Sequence, residues 1–190
     1  MKVLVTGAAG YIGSILCEHL LHAGHHVIAV DKLIYGTSYL FHMCAHPCFE
    51  FVFGDVRDRS LMARLVKQAD VLIPLAAIVG MPACEREPWL AQSVNLEAIH
   101  LLDELRSPGQ LIIFPNTNSG YGTKSGDVYC TEETELEPIS LYGQTKVEAE
   151  QHLLERPNTI VLRLATVFGM SPRMRIDLLV NHFVYAAVTD

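Results

Sequence analysis

The 190-residue sequence contains no apolar run approaching the length of a membrane span, so no transmembrane helix is expected and no membrane partner. Positive charge is scarce too. Fourteen Lys and Arg stand against 21 Asp and Glu, a net charge of −7, which argues against nucleic acid or an anionic surface as partner. The cysteines are few, scattered and odd in number, at 17, 44, 48, 84 and 130, a usage that suits reduced thiols better than a disulfide framework. No secretory leader pattern precedes the first strand-like run at residue 2 or 3, and a cytoplasmic location is expected. Repeats and low-complexity tracts are missing as well. In His42-Met43-Cys44-Ala45-His46-Pro47-Cys48 every second residue could ligate a metal. Structural zinc pairs usually sit further apart in sequence, so the segment is read as a surface connection and no metal is expected.

Half of the residues are hydrophobic, enough for the core of one domain over residues 1–190. Val3, Leu4 and Val5 form a short apolar run of the kind that makes a buried parallel strand. Gly7, Gly10 and Gly13 follow, and then Ile15, Leu16, Leu20 and Leu21 recur at helical spacing. A strand whose glycines open a helix can hold a pyrophosphate, because the backbone approaches closely and the helix end offers free N–H groups. A second apolar run, His26 to Val30, ends in Asp31, 24 residues after Gly7. An acid near that distance accepts the ribose hydroxyls and repels a 2′-phosphate, favouring NAD over NADP.

Strand and helix patterns alternate to the end, which predicts a doubly wound α/β fold with a parallel sheet. Helices are expected at 11–23, from Asp58 or Ser60, at 89–105, 141–155 and 176–188. Strands are expected at 49–53, 71–77, 111–114 and 159–164, a loop with a short helix at 32–48, and a polar loop at 116–138. Tyr142 and Lys146 lie four residues apart, one turn along a helix face. Beside a nicotinamide, such a lysine would lower the phenol's pKa and make it a base for a hydroxyl proton. Thr117 or Ser119, at the exit of the fifth strand, offers a hydroxyl for the substrate oxygen.

Together these segments resemble the extended short-chain dehydrogenase/reductase superfamily, in its NAD-dependent epimerase/dehydratase branch. The resemblance rests on Thr6 to Gly13, Asp31, Asp55-Val56, Leu75-Ala76-Ala77, Val94-Asn95, Thr117 to Gly122, Tyr142 with Lys146, and Arg163 to Gly169. It implies NAD as cofactor and a nucleotide-diphosphate sugar as substrate, in a homodimer. Gly7, Gly10, Tyr11, Ile12 and Gly13 would hold the pyrophosphate, and Asp31 with Lys32 the adenosine ribose. Asp55 and Val56 would lie at the adenine, Leu75, Ala76 and Ala77 along the middle of the cofactor, and Asn95 in support. Thr117, Tyr142 and Lys146 would be catalytic, with Tyr142 and Lys146 also touching the cofactor.

The family's 4,6-dehydratases carry an Asp-Glu pair after the catalytic threonine. Asn118 and Ser119 stand there in this sequence, so water elimination by that route is not expected. The segments Pro74 to Gly80, Asn118 to Tyr121 and Ser171 to Arg175 look most like a branch that oxidises C4 of GDP-heptoses, which favours a GDP-sugar. The activity implied is hydride transfer at the sugar C4 by an oxidoreductase or epimerase; a reductase at C4, or an NAD-binding regulator without turnover, are the alternatives. Family members continue beyond the point matching Asp190, into a small substrate-binding domain. The expectation is therefore a chain that holds the cofactor half and is inactive alone.

Overall fold

The computed structural model describes residues 1–124 and 129–189. Six parallel strands form one sheet in the order β3-β2-β1-β4-β5-β6. They are β1 (Lys2–Thr6), β2 (His26–Asp31), β3 (Phe49–Phe53), β4 (Val71–Pro74), β5 (Leu111–Thr117) and β6 (Thr159–Leu164). The helices are α1 (Tyr11–His22), α2 (Arg59–Val66), α3 (Met81–Arg86), α4 (Pro88–Gln92), α5 (Ala98–Leu105), α6 (Leu141–Leu154) and α7 (Leu179–Thr189). The strand order reverses between β1 and β4, and in a doubly wound sheet the ligand crevice opens beyond the strand ends at that switch point.

Alternation along each strand divides the core into two layers. Leu4, Ile28, Leu72, Ile112 and Phe114 face Met62, Leu65, Leu102 and Leu153 of α2, α5 and α6. Val3, Val5, Val27, Ala29 and Ile73 face the opposite way, toward Cys17 and Leu21 of α1 and toward Leu40 and Met43. The last two belong to a short 3₁₀ helix, Ser38–Met43, inside the segment expected to hold a loop and a short helix.

Polar side chains start the helices where the sequence offers them. Asp58 accepts from Leu61 N at the head of α2, and Ser140 from Gly143 N at the head of α6. Gly24, with φ of +79°, follows the end of α1.

Three expectations need correction. β4 stops at Pro74, because Leu75 N still donates to Thr6 O at 3.0 Å but Ala76 N turns to the Thr6 side chain, Oγ1, at 3.3 Å. Leu75, Ala76 and Ala77 therefore form a loop beyond the carboxyl end of β4. The helix expected over 89–105 is three pieces: α4, a π-helical turn at Ser93–Glu97, and α5. That wide turn carries Asn95, whose side chain closes two hydrogen bonds outside the helix. β5 runs on to Thr117, beyond the expected end, because Asn116 and Thr117 pair with Arg163 and Leu164 of β6. Of the polar stretch expected as a loop, residues 118–121 form a 3₁₀ turn, and 125–128 lie outside the described residues.

Candidate active site

The glycine turn after β1 sits at the switch point and depends on two close approaches. Gly7 has φ of +68°, and a Cβ there would lie 2.6 Å from Ala76 N. A Cβ on Gly13 would lie 2.3 Å from Gly7 O. Only glycine lets the turn pack against the β4 exit and lets α1 start directly beneath it. No side chain caps α1. Its first backbone donors open on a cleft of about 680 Å³ lined by Gly7, Gly10, Tyr11, Ile12 and Gly13, a volume in the usual range for small-molecule sites. An uncapped helix start in a cleft of this size is the donor set a dinucleotide pyrophosphate requires, so the residues present fit NAD.

Asp31 ends β2 on the same cleft. Its carboxylate accepts from Ala9 N at 2.9 Å and Leu33 N at 2.7 Å, which ties the glycine turn to the β2 exit. Asp55 and Val56 follow β3 on the neighbouring rim. Asp55 takes Lys32 Nζ at 2.9 Å and Arg57 through Nε at 2.9 Å and Nη2 at 2.6 Å. The Arg57 side chain, above all, holds the Asp55 carboxyl well below the usual carboxylate range.

Leu75, Ala76 and Ala77 line the middle of the cleft, and Thr117, Tyr142 and Lys146 its far end. The Thr117 hydroxyl accepts from Ser119 N and donates to Ser119 Oγ, both at 3.1 Å. Ser119 thus orients the hydroxyl that the resemblance marks as catalytic. Burial pushes the Tyr142 phenol above its ordinary value and Cys84 adds to this, while Arg175 and then Thr117 pull against it.

Lys146 differs from expectation. Its side chain is 5% exposed, and Nζ donates to Pro115 O at 2.7 Å and lies 3.7 Å from the centre of the Phe114 ring. The ammonium is directed at β5, and burial lowers its pKa to about 7 against a smaller upward pull from Glu150. The cation that lowers the phenol is Arg175.

Asn95 is not brought to the cleft. Only 1% exposed, it accepts from Ile78 N at 2.8 Å and donates to Ile78 O at 3.0 Å, bracing the loop after β4 from behind. The sequence reading missed Arg57, Arg173 and Arg175, which all line the cleft. It also missed Glu150, which sits one turn beyond Lys146. Glu150 is 2% exposed, bonds Asn116 Nδ2 and takes Arg163 Nε at 2.9 Å and Nη2 at 2.6 Å. The signal for Glu150 was present, since Tyr142, Lys146 and Glu150 continue one four-residue spacing.

The segment after β6 is strapped across the start of α1. Tyr11 Oη donates to Gly169 O at 2.6 Å, and Asn181 Nδ2 donates to Tyr11 Oη at 2.9 Å. Ser171 Oγ donates to Tyr11 O at 2.7 Å. These bonds carry Arg173 and Arg175 to the cleft, where Arg173 stacks 3.8 Å from the centre of the Tyr35 ring. Among the described residues no cluster of three or more His, Cys, Asp and Glu could hold a metal, and no helix is long and apolar enough to cross a membrane.

Comparison with known proteins agrees with this fold. The profile of the NAD dependent epimerase/dehydratase family matches residues 3–189. The chain is 36% identical over 201 residues to an uncharacterized UDP-glucose epimerase of Bacillus subtilis (strain 168), covering 97% of this chain and 61% of that one. The solved UDP-glucuronic acid 4-epimerase of Bacillus cereus, bound to UDP-glucuronic acid and NAD, superposes with a TM-score of 0.84 at 29% identity, over 99% of this chain and 63% of that one. The dTDP-glucose 4,6-dehydratase of Bacillus anthracis str. Ames, in complex with NAD, gives 0.85 at 26% identity, over 99% and 61%. The chain spans about three fifths of the length of these relatives.

Proposed function

The chain belongs to the NAD-dependent epimerase/dehydratase family, and from that premise we propose that it supplies the cofactor site and catalytic groups of a cytoplasmic enzyme that oxidises C4 of a nucleotide-diphosphate sugar. The observation that carries the reading is convergence: Thr117, Tyr142 and Lys146 line the same cleft as the uncapped glycine turn and Asp31.

NAD, when bound, accepts the hydride that leaves C4. The residues of this chain manage the proton and the geometry. Tyr142 takes the proton of the C4 hydroxyl as the C4–H bond breaks, leaving a ketone. Thr117, oriented by Ser119, holds the C4 oxygen. Arg175 opposes part of the burial that holds the phenol above its ordinary value, and so favours the phenolate that a base requires. Lys146 anchors α6 to β5 through Pro115 O and places Tyr142 against Thr117. The uncapped N–H groups of α1 bind the pyrophosphate, Asp31 receives the ribose hydroxyls, and Leu75 to Ala77 wall the middle of the cofactor.

Elimination is disfavoured, because Asn118 and Ser119 are neither acids nor bases near pH 7, and the Ser119 hydroxyl is engaged by Thr117. At the finest level the reading is a GDP-heptose 4-dehydrogenase, supported by the three sequence segments that resemble that branch. The test extends the chain to the length of its relatives and incubates it with NAD and GDP- or UDP-linked sugars, following NADH absorbance. NADH formation with a GDP-heptose supports the full reading. Turnover of UDP-sugars alone overturns the GDP assignment, and the absence of both NADH and an epimerised sugar across the two series overturns hydride transfer at C4.

A further inference from the structure

We propose that Asp55 is a specificity-determining residue that disfavours NADP by holding Lys32 and Arg57 to itself beside the ribose site. The inference rests on the reading of Asp31 as the ribose acceptor and goes beyond it.

The topology brings the groups together. β2 and β3 pair in parallel with Asp31 opposite Phe53, and Gly54 N donates to Asp31 O at 3.1 Å. Asp55 therefore emerges beside Asp31, and Lys32 emerges from the same strand end. Asp31, Lys32, Asp55 and Arg57 all line one rim of the cleft. A rim with two cations next to a ribose is the arrangement that receives a 2′-phosphate, because arginine and lysine bind that dianion strongly. Here both cations are already taken. Asp55 Oδ2 bonds Lys32 and Arg57 Nη2, and Oδ1 bonds Arg57 Nε and N. Arg57 is fixed further by Ser93 Oγ at 3.2 Å and by Trp89, whose ring centre lies 5.7 Å from its guanidinium carbon.

Asp31 is engaged differently. Its two bonds come from backbone N–H groups, so its charge is not paired with either cation. The rim therefore presents the unpaired Asp31 carboxylate at the ribose while Lys32 and Arg57 are both held to Asp55, so a 2′-phosphate meets Asp31 with neither of these cations turned to receive it. With Asp55 uncharged, Lys32 and Arg57 turn to Asp31 and to the incoming phosphate, and both changes favour NADP.

The test is calorimetric binding of NAD and NADP, with 5′-AMP and 2′,5′-ADP as fragments, to wild type, Asp55→Asn, and Asp55→Asn combined with Lys32→Ala or Arg57→Ala. Asp55→Asn is expected to raise the NADP:NAD affinity ratio at least about tenfold, the scale of one nearby unit charge in a partly solvated site. Removing either cation in that background returns the ratio toward wild type. In the wild-type background Lys32→Ala and Arg57→Ala each lower the NADP:NAD ratio by less than the roughly tenfold of a free unit charge, since Asp55 engages both cations; a full fall of about tenfold overturns the proposal, and this arm stands even if Asp55→Asn folds poorly. A uniform loss of affinity for both dinucleotides would show Asp55 to be an adenine contact only and overturns the proposal. So does a ratio that stays raised in both double variants. Failure of wild type to bind NAD removes the cofactor reading and this inference with it; bound NAD with an unchanged ratio removes this inference alone.

Discussion

Replacing Lys146 with methionine should stabilise the protein near pH 6 and lose that advantage as the pH rises. The lysine is buried, and its pKa falls from 10.5 to about 7. A lysine with a depressed native pKa binds its proton more readily in the unfolded chain. The unfolded state therefore holds the extra proton between about pH 7 and 10.5, and stability rises with pH across that window at up to about 1.4 kcal/mol per unit. The penalty is complete below about pH 7 and absent above 10.5. Its full size is somewhat under about 5 kcal/mol at about 1.4 kcal/mol per unit. Methionine also forfeits the charged hydrogen bond to Pro115 O, which returns about 1.5–3 kcal/mol. The net gain at pH 6 is about 2–3 kcal/mol, and above pH 10 it changes sign. The assay is urea unfolding of both proteins at several pH values between 6 and 10.5. A stability difference that does not vary with pH would show that Lys146 is not held at a depressed pKa, and the account of its burial would fail.

Tyr142→Phe in the extended protein should retain folding and NAD affinity while kcat falls at least about 10²-fold; a tenth of the activity remaining would assign the proton to another group. Asp31→Ala should narrow the gap between NAD and NADP binding by calorimetry, and equal affinities in wild type would refute its role at the ribose. Glu150→Ala leaves the partly exposed Arg163 without its carboxylate and the buried Asn116 Nδ2 without its Glu150 acceptor, and should destabilise the fold by about 1–3 kcal/mol, read by thermal unfolding; a loss within about 0.5 kcal/mol would refute the bracing role. The 190-residue chain alone should form NADH from a nucleotide sugar far more slowly than its extended form, because correct positioning carries about 7–11 kcal/mol of such a barrier. Comparable rates would mean the substrate site is already complete.

The parallel sheet and most of the cleft were legible in the sequence because each rests on a local pattern. The run Val3 to Val5 reads as a strand and Gly7, Gly10 and Gly13 as a turn into a helix without knowledge of any neighbour. The acid at 31 and the Tyr142–Lys146 spacing are local in the same way. What was not legible depends on partners far along the chain. The end of β4 is decided by Thr6, about seventy residues earlier. The wide turn at 93–97 carries Asn95, whose side chain bonds Ile78 rather than its own helix. Lys146 was expected to face the phenol because the two share a helix face, but its ammonium donates to the Pro115 carbonyl of β5. Arg173 and Arg175 look like ordinary surface arginines until Tyr11, Ser171 and Asn181 strap their segment over α1.

The central claim is that NAD and a nucleotide-diphosphate sugar meet at Thr117, Tyr142 and Lys146, with hydride leaving C4. It is tested most directly by incubating the extended protein with NAD and a sugar nucleotide deuterated at C4, then analysing the cofactor by mass spectrometry. The account predicts deuterium on the nicotinamide ring in wild type and its loss in Tyr142→Phe. An unlabelled nicotinamide, with no epimerised sugar, in a wild-type protein shown to bind both ligands would contradict it.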